Sequence, residues 1–212
     1  MNVEYFPFTI PLIELVAAIF ATIHFEKYAR SNEKYFLYFL WFTFIMDATG
    51  IMLNEFTTIE TTVWYNVFTP IVLLFYFYWY YSILKSKSFK QMAILSATLF
   101  IGMTVLTYIF PKLSGQGYAF VIGVIGLLVL TFFHFYQLLR GDEVLVVKYK
   151  LSFWISTALL LFYIGILPLM LLAKYIEING SNYNIILVSL NVILYGCYII
   201  GFIWTKKKYN RF

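Results

Sequence analysis

The amino-acid sequence predicts an all-α integral membrane protein, a seven-transmembrane helix bundle with its N-terminus outside and its C-terminus in the cytoplasm. Three observations carry that expectation: seven apolar blocks long enough to cross a bilayer, very little charge inside them, and basic residues confined to alternate loops. Of the 212 residues, 62% are hydrophobic and 12% charged, and the mean hydropathy is +0.82. A soluble domain carries about 25% charged residues, so this chain has too little polar surface to coat a globule. Most of its surface must therefore face lipid, and the lipid bilayer is its first expected partner.

A hydrocarbon core of about 30 Å needs about 20 helical residues at about 1.5 Å each. The seven blocks that meet this length cover about 6–27, 35–54, 62–84, 91–110, 117–139, 151–173 and 182–204. Blocks three to seven contain no Asp, Glu, Lys or Arg through their cores. They are apolar on every side, whereas the strands of a membrane barrel alternate apolar and polar over about ten residues. The connections are short, so the whole chain 1–212 is expected to be a single transmembrane domain. The first residues, MNVEYF, have no basic n-region and no small-residue cleavage site, so the first block is expected to be retained as a helix.

Orientation comes from counting Lys and Arg in the loops. Lys27, Arg30 and Lys34 follow the first block, Lys85, Lys87 and Lys90 the third, and Arg140, Lys148 and Lys150 the fifth. Lys206, Lys207, Lys208 and Arg211 follow the seventh, while only Lys112 and Lys174 fall on the other side. Thirteen against two, in strict alternation, places the basic side in the cytoplasm of a multi-pass cell-membrane protein. Four tryptophans (Trp41, Trp79, Trp154 and Trp204) lie near the cytoplasmic ends of their blocks, as an aromatic belt predicts. The net charge of +5 is dispersed in these clusters, which excludes a nucleic-acid groove.

An internal echo accompanies this plan. His24 to Glu33 reads HFEKYARSNE and His134 to Glu143 reads HFYQLLRGDE, with His, Phe, Arg and Glu at the same places. Gly50-Ile51 is echoed by Gly165-Ile166, and Tyr65-Asn66 by Tyr183-Asn184, in the same order. The pattern fits two parallel three-helix units joined by the fourth helix, a 3+1+3 internal repeat. That plan resembles SWEET-type sugar transporters, and the helix count resembles rhodopsin-like receptors. The first resemblance implies that Asn66 and Asn184 act as the midline asparagines of the two units. The proline pattern departs from it, since the second and fifth blocks contain none. The seventh block also lacks the lysine that a retinal chromophore requires.

Glu14 and Asp47 are the two acids away from the ends of the blocks (Glu26 lies at the basic end of the first), and such residues usually face the interior of a bundle. From the block boundaries they lie about eight and six residues from the outer ends, roughly 12 and 9 Å deep. At similar depth on neighbouring antiparallel helices, they can share a proton if they face each other. Asn66 and Asn191 lie at compatible depths and supply further donors and acceptors, with Asn184 nearer the outer end. His24 and His134 are expected at the cytoplasmic interface, where a half-polar ring is accommodated; two histidines alone do not make a metal site. Single Cys197 forms no internal disulfide, and the chain carries no nucleotide, redox or metal motif, so no cofactor or metal is expected.

The leading functional expectation is a non-enzymatic receptor or sensor component. It would bind a small-molecule ligand in an outward-facing polar pocket and act through a cytoplasmic signalling partner. The alternatives are a transporter of a small solute or proton-coupled substrate, and an intramembrane hydrolase using Glu14 and Asp47. Lipid hydrolases of the lysoplasmalogenase type depend on intramembrane acids, but their surrounding motifs are not found here.

Overall fold

The computed structural model describes residues 8–57, 61–110, 117–141, 144–172 and 180–210. Seven α-helices occur among them: α1 (Thr9–Ile23), α2 (Lys34–Phe56), α3 (Thr61–Ile83), α4 (Lys87–Ile109), α5 (Gly117–Arg140), α6 (Leu151–Leu172) and α7 (Gly180–Trp204). Short 3-10 turns cover Phe25–Lys27, Val144–Tyr149 and Lys207–Tyr209. By length and composition, α2, α4, α5, α6 and α7 can each cross a membrane. The chain is thus a polytopic helical membrane protein. Helix α3 has comparable length, 23 residues, but Tyr and Trp crowd its second half and dilute its apolar character. Lys112, Lys174, Arg211 and the Asn179 of a glycosylation-like Asn-Gly-Ser triplet lie outside the described residues.

Five helices start and stop within two residues of the expected blocks, α4 starts four residues early, and α1 ends four residues early. It ends at Ile23 because nearby side chains take its last carbonyls. Tyr28 Oη donates to Ala21 O at 2.7 Å, Thr22 Oγ1 to Ala18 O at 2.8 Å, and His24 Nδ1 to Phe20 O at 3.0 Å. Satisfying these end groups locally lets the chain leave the helix without stranding backbone acceptors.

The chain divides into two compact units, one formed by 1–61 with 145–212 and the other by 62–144. This partition groups α1, α2, α6 and α7, and separately α3, α4 and α5, and so does not follow the boundaries of a 3+1+3 repeat. The histidine echo also folds differently in its two copies. His24 closes α1, whereas His134 lies inside α5.

In the first unit, α1 packs on both α2 and α7, and α7 packs on α6. The buried stripe of α1 is Pro11, Glu14, Ala17, Ala18 and Ala21, mostly small residues that allow backbones to approach. On α7 the stripe is Asn191, Tyr195, Tyr198 and Phe202, spaced four, three and four residues apart. The Tyr198 ring meets Phe36 of α2 edge-on at 4.9 Å, and Phe202 meets Tyr28 at 5.5 Å. Glycines set the approach of α6 and α7. A Cβ at Gly201 would fall 2.6 Å from the Trp154 Cβ, and one at Gly165 2.4 Å from Leu190 Cδ2.

The second unit is held by its own interior pairs. Tyr80 on α3 bonds Thr131 on α5 at 2.7 Å, oxygen to oxygen. A Cβ at Gly123 of α5 would meet Phe100 of α4 at 2.8 Å and Leu73 of α3 at 3.0 Å. Gln137 ties the end of α3 to α5: its Oε1 accepts from Lys85 N at 2.7 Å. Trp79 is 1% exposed in this interior, so it is a core residue and not a member of the expected aromatic belt.

The basic end of the first unit is closed by hydrogen bonds. Lys27 Nζ donates to Phe202 O at 3.2 Å and Ile203 O at 2.9 Å, capping α7. Asn210 accepts from Leu151 N at 3.0 Å and donates to Thr205 Oγ1 at 2.6 Å. Lys206 N donates to Tyr149 O at 3.1 Å, and its ammonium lies 4.0 Å above the Tyr149 ring. Glu33, fully buried beside this network, has neither carboxylate oxygen in a well-formed hydrogen bond. The Ser31 hydroxyl hydrogen that would serve it is already given to Tyr28 O at 2.8 Å. Burial pushes the Glu33 carboxyl above its ordinary value of 4.5, partly offset by Ser31, its own backbone and the charge of Lys150.

Two outcomes follow from this packing. Gly201→Ala will lower the melting temperature, with overpacking costing about 1–3 kcal/mol, because the obstructing Trp154 atom is close to the backbone. Gly196→Ala on the same helix, where nothing lies within 4 Å, will leave it unchanged or raise it. Thermal melts of the purified variants check both. For Glu33, a raised folded value means that the folded chain holds the proton more tightly than the unfolded chain. Its stabilising contribution is then complete below pH 4.5 and is lost as pH rises through the raised value. Melting curves across pH should show that decline in the wild type and a flatter profile in Glu33→Gln.

Candidate functional site

The two acids expected within the apolar blocks meet. Glu14 lies on the buried stripe of α1 and is 2% exposed, while Asp47 on α2 is half-buried. The Asp47 carboxyl comes within hydrogen-bonding range of the Glu14 carboxyl. Tyr195 of α7 donates its hydroxyl hydrogen to Glu14 Oε1. Glu14 Oε2 has no hydrogen-bond partner among the described residues. Helix α1 places the acid between two neighbours because it packs on both α2 and α7.

Depths taken from the helices differ from those taken from the blocks. Glu14 is five residues from the start of α1, roughly 8 Å, and Asp47 nine residues from the end of α2, roughly 14 Å. The acids meet all the same, since the two helices need not begin at one level.

Asn191 lies one turn before Tyr195 on the buried face of α7 and is 8% exposed. Its amide nitrogen donates to Leu187 O at 2.9 Å, within its own helix, so that donor is committed. Asn184 falls on the same helical face, eleven residues before Tyr195, and is exposed. Asn66 belongs to the other compact unit, half-buried on α3, one turn before Pro70, which cannot donate to the Asn66 carbonyl. The structure therefore brings together Glu14 and Asp47, with Asn191 a turn away along α7.

Tyr195 is the functional residue that sequence reasoning missed. It is one of 19 tyrosines and carries no motif. The available signal was its spacing: four residues after Asn191 and eleven after Asn184, it shares a helical face with the polar groups already singled out on α7.

The histidines have separate environments. His24 is partly exposed at the end of α1, with its ring stacked on Phe20 at 6.1 Å. A carbonyl can only accept, so the proton on the Nδ1 that meets Phe20 O identifies the tautomer or a charged ring. His134 is buried instead of lying at an interface, with the Tyr80 and Trp79 rings at 6.1 and 6.3 Å.

Alongside the acids, α1 and α2 enclose a groove of about 340 Å³. Pro11, Leu12 and Leu15 line it from α1, and Phe44, Ala48 and Ile51 from α2. Phe8 and Met52 complete its lining and are 58% and 60% exposed. The cavity beside the acids is thus apolar, where the sequence predicts a polar pocket. Neither acid lines the groove; Asp47 falls one turn after Phe44 and one before Ile51, and Glu14 one turn after Pro11, so both sit next to lining residues on the same two helices.

The chain matches no protein-family model, no curated protein and no solved structure. The chemistry of the site therefore rests on its geometry. Two carboxyls and one phenol can hold, share and exchange a proton, and can accept hydrogen bonds from a ligand. Replacing Tyr195 by Phe leaves a buried carboxylate without its donor and is expected to cost about 1–3 kcal/mol. A double-mutant cycle with Glu14→Gln, read by thermal melts, should return a non-zero coupling between the two positions.

Proposed function

We propose that this chain is a receptor or sensor component of the cell membrane that crosses the bilayer seven times with its C-terminus in the cytoplasm. The thirteen-to-two distribution of basic residues supports the orientation. The observation that carries the functional reading is the buried Glu14–Asp47–Tyr195 cluster, which draws on three helices at once. Intramembrane ionisable groups are expensive to bury and mark functional sites by default. A change of proton or ligand at this cluster alters what joins α1 to both α2 and α7. The same helices end in the basic segment closed by Lys27, Tyr149 and Asn210, a surface suited to a cytoplasmic signalling partner. No catalytic role is assigned to the acids.

A proton-coupled transporter is the second reading, favoured by the shared-proton geometry of the same pair. One experiment separates the two. Reconstituted vesicles should show no pH-driven solute uptake above protein-free controls, and affinity capture from the native membrane should retain a soluble partner. That partner should be lost, or change its occupancy at least several-fold, in Asp47→Asn. Uptake that is abolished in Asp47→Asn would replace the receptor with the transporter.

A further inference from the structure

The acid cluster has more acceptors than donors. Its two carboxyls offer four oxygens, and Tyr195 supplies one hydrogen, to Glu14 Oε1. The Asn191 amide gives one of its two hydrogens to Leu187 O, and among the described residues Glu14 Oε2 is buried without a hydrogen-bond partner. Among the described residues no lysine or arginine acts on either carboxyl, and the nearest basic residue on α2, Lys34, is thirteen positions from Asp47, roughly 20 Å. Even with one proton shared between them, the two carboxyls keep a negative charge and surplus acceptor oxygens that the described residues do not meet.

The neighbouring groove has the opposite character. All the residues that line it are apolar, and Leu12 and Met52 at its open side are 61% and 60% exposed. It opens on a helix pair of which α2 is long and apolar enough to cross a membrane. One helical turn connects the two regions, through Phe44, Asp47 and Ile51 on α2.

From this juxtaposition we infer that the α1–α2 groove and the neighbouring carboxyls form one site for a single-chain cationic amphiphile, with the alkyl chain in the groove and the amine at Asp47 and Glu14. Charge complementarity selects the head: an ammonium brings three donors and the compensating charge, an alcohol brings one donor and no charge, and a fatty carboxylate repels the pair. The inference deepens the receptor reading by naming the class of its ligand, and it is tested without a signalling partner.

The full chain, in phosphatidylcholine nanodiscs, is titrated at neutral pH with dodecylamine, dodecanol and dodecanoate, and thermal melting reports binding. Dodecylamine should stabilise the wild type at concentrations about tenfold below dodecanol, the order expected of charge-assisted hydrogen bonds. Asp47→Asn should remove that preference and retain the weaker response to dodecanol. Ala48→Phe, which fills the groove and leaves the acids in place, should weaken both. Glu14→Gln serves as a second head-group variant if Asp47→Asn fails to fold. Equal responses of wild type and variants to dodecylamine would mark a bilayer effect and overturn the site, as would equal stabilisation by all three amphiphiles. Loss of the cytoplasmic partner with the amine preference intact would remove the receptor reading and leave the site.

Discussion

The first unit depends on one constraint: a carboxyl on α1 is buried where water cannot solvate it. Glu14 can occupy that position because Tyr195 donates to it and Asp47 lies within hydrogen-bonding range. Each partner comes from a different helix, so the need of one polar group is met by joining three elements. The small residues that follow it, Ala17, Ala18 and Ala21, let α1 come close enough for those contacts to form. Between helices in an apolar medium the hydrophobic drive largely vanishes, and close packing with a few hydrogen bonds carries the association. A single buried acid can then have more structural consequence than it would have in a soluble core.

The two ends of this unit solve different problems. Toward the basic end, backbone acceptors and donors left by three helix ends are matched one by one, by Lys27 on the α7 carbonyls and by Asn210 on Leu151, Thr205 and Lys206. Glu33 is the exception, a buried carboxyl in a setting already committed to other pairs. Around Glu14 and Asp47 the matching is incomplete.

Much of the fold was legible in the chain itself. Apolar runs separated by basic clusters determine where helices start and stop, since backbone groups in lipid must be satisfied within the segment and charge must leave it. Five of the seven helices accordingly match the blocks to within two residues, and α4 starts one turn early. Helix α1 is shortened by Tyr28 and His24, side chains that lie beyond its end and whose reach back to its carbonyls is a matter of conformation, not composition. The same limit applies to the echo between His24–Glu33 and His134–Glu143: the shared His and Phe close one helix and continue another, and Tyr28, whose hydroxyl caps α1, is matched by Leu138 in α5. Trp79 shows it again, with the spacing of an interface residue and the burial of a core residue.

The candidate site divides along the same line. The sequence by itself picked out Glu14 and Asp47 as acids inside apolar helices, where ionisable groups are rare, costly and in need of partners. Only the tertiary structure decided who those partners are. It brought Tyr195 to Glu14, committed the Asn191 amide to its own helix, left Asn184 exposed, and made the cavity beside the acids apolar. The physical reason is that helical periodicity specifies which residues share a face, while the neighbour that face meets depends on which helices pack together. In a chain that is apolar all round, almost any face will serve for packing, and the buried polar groups decide among them.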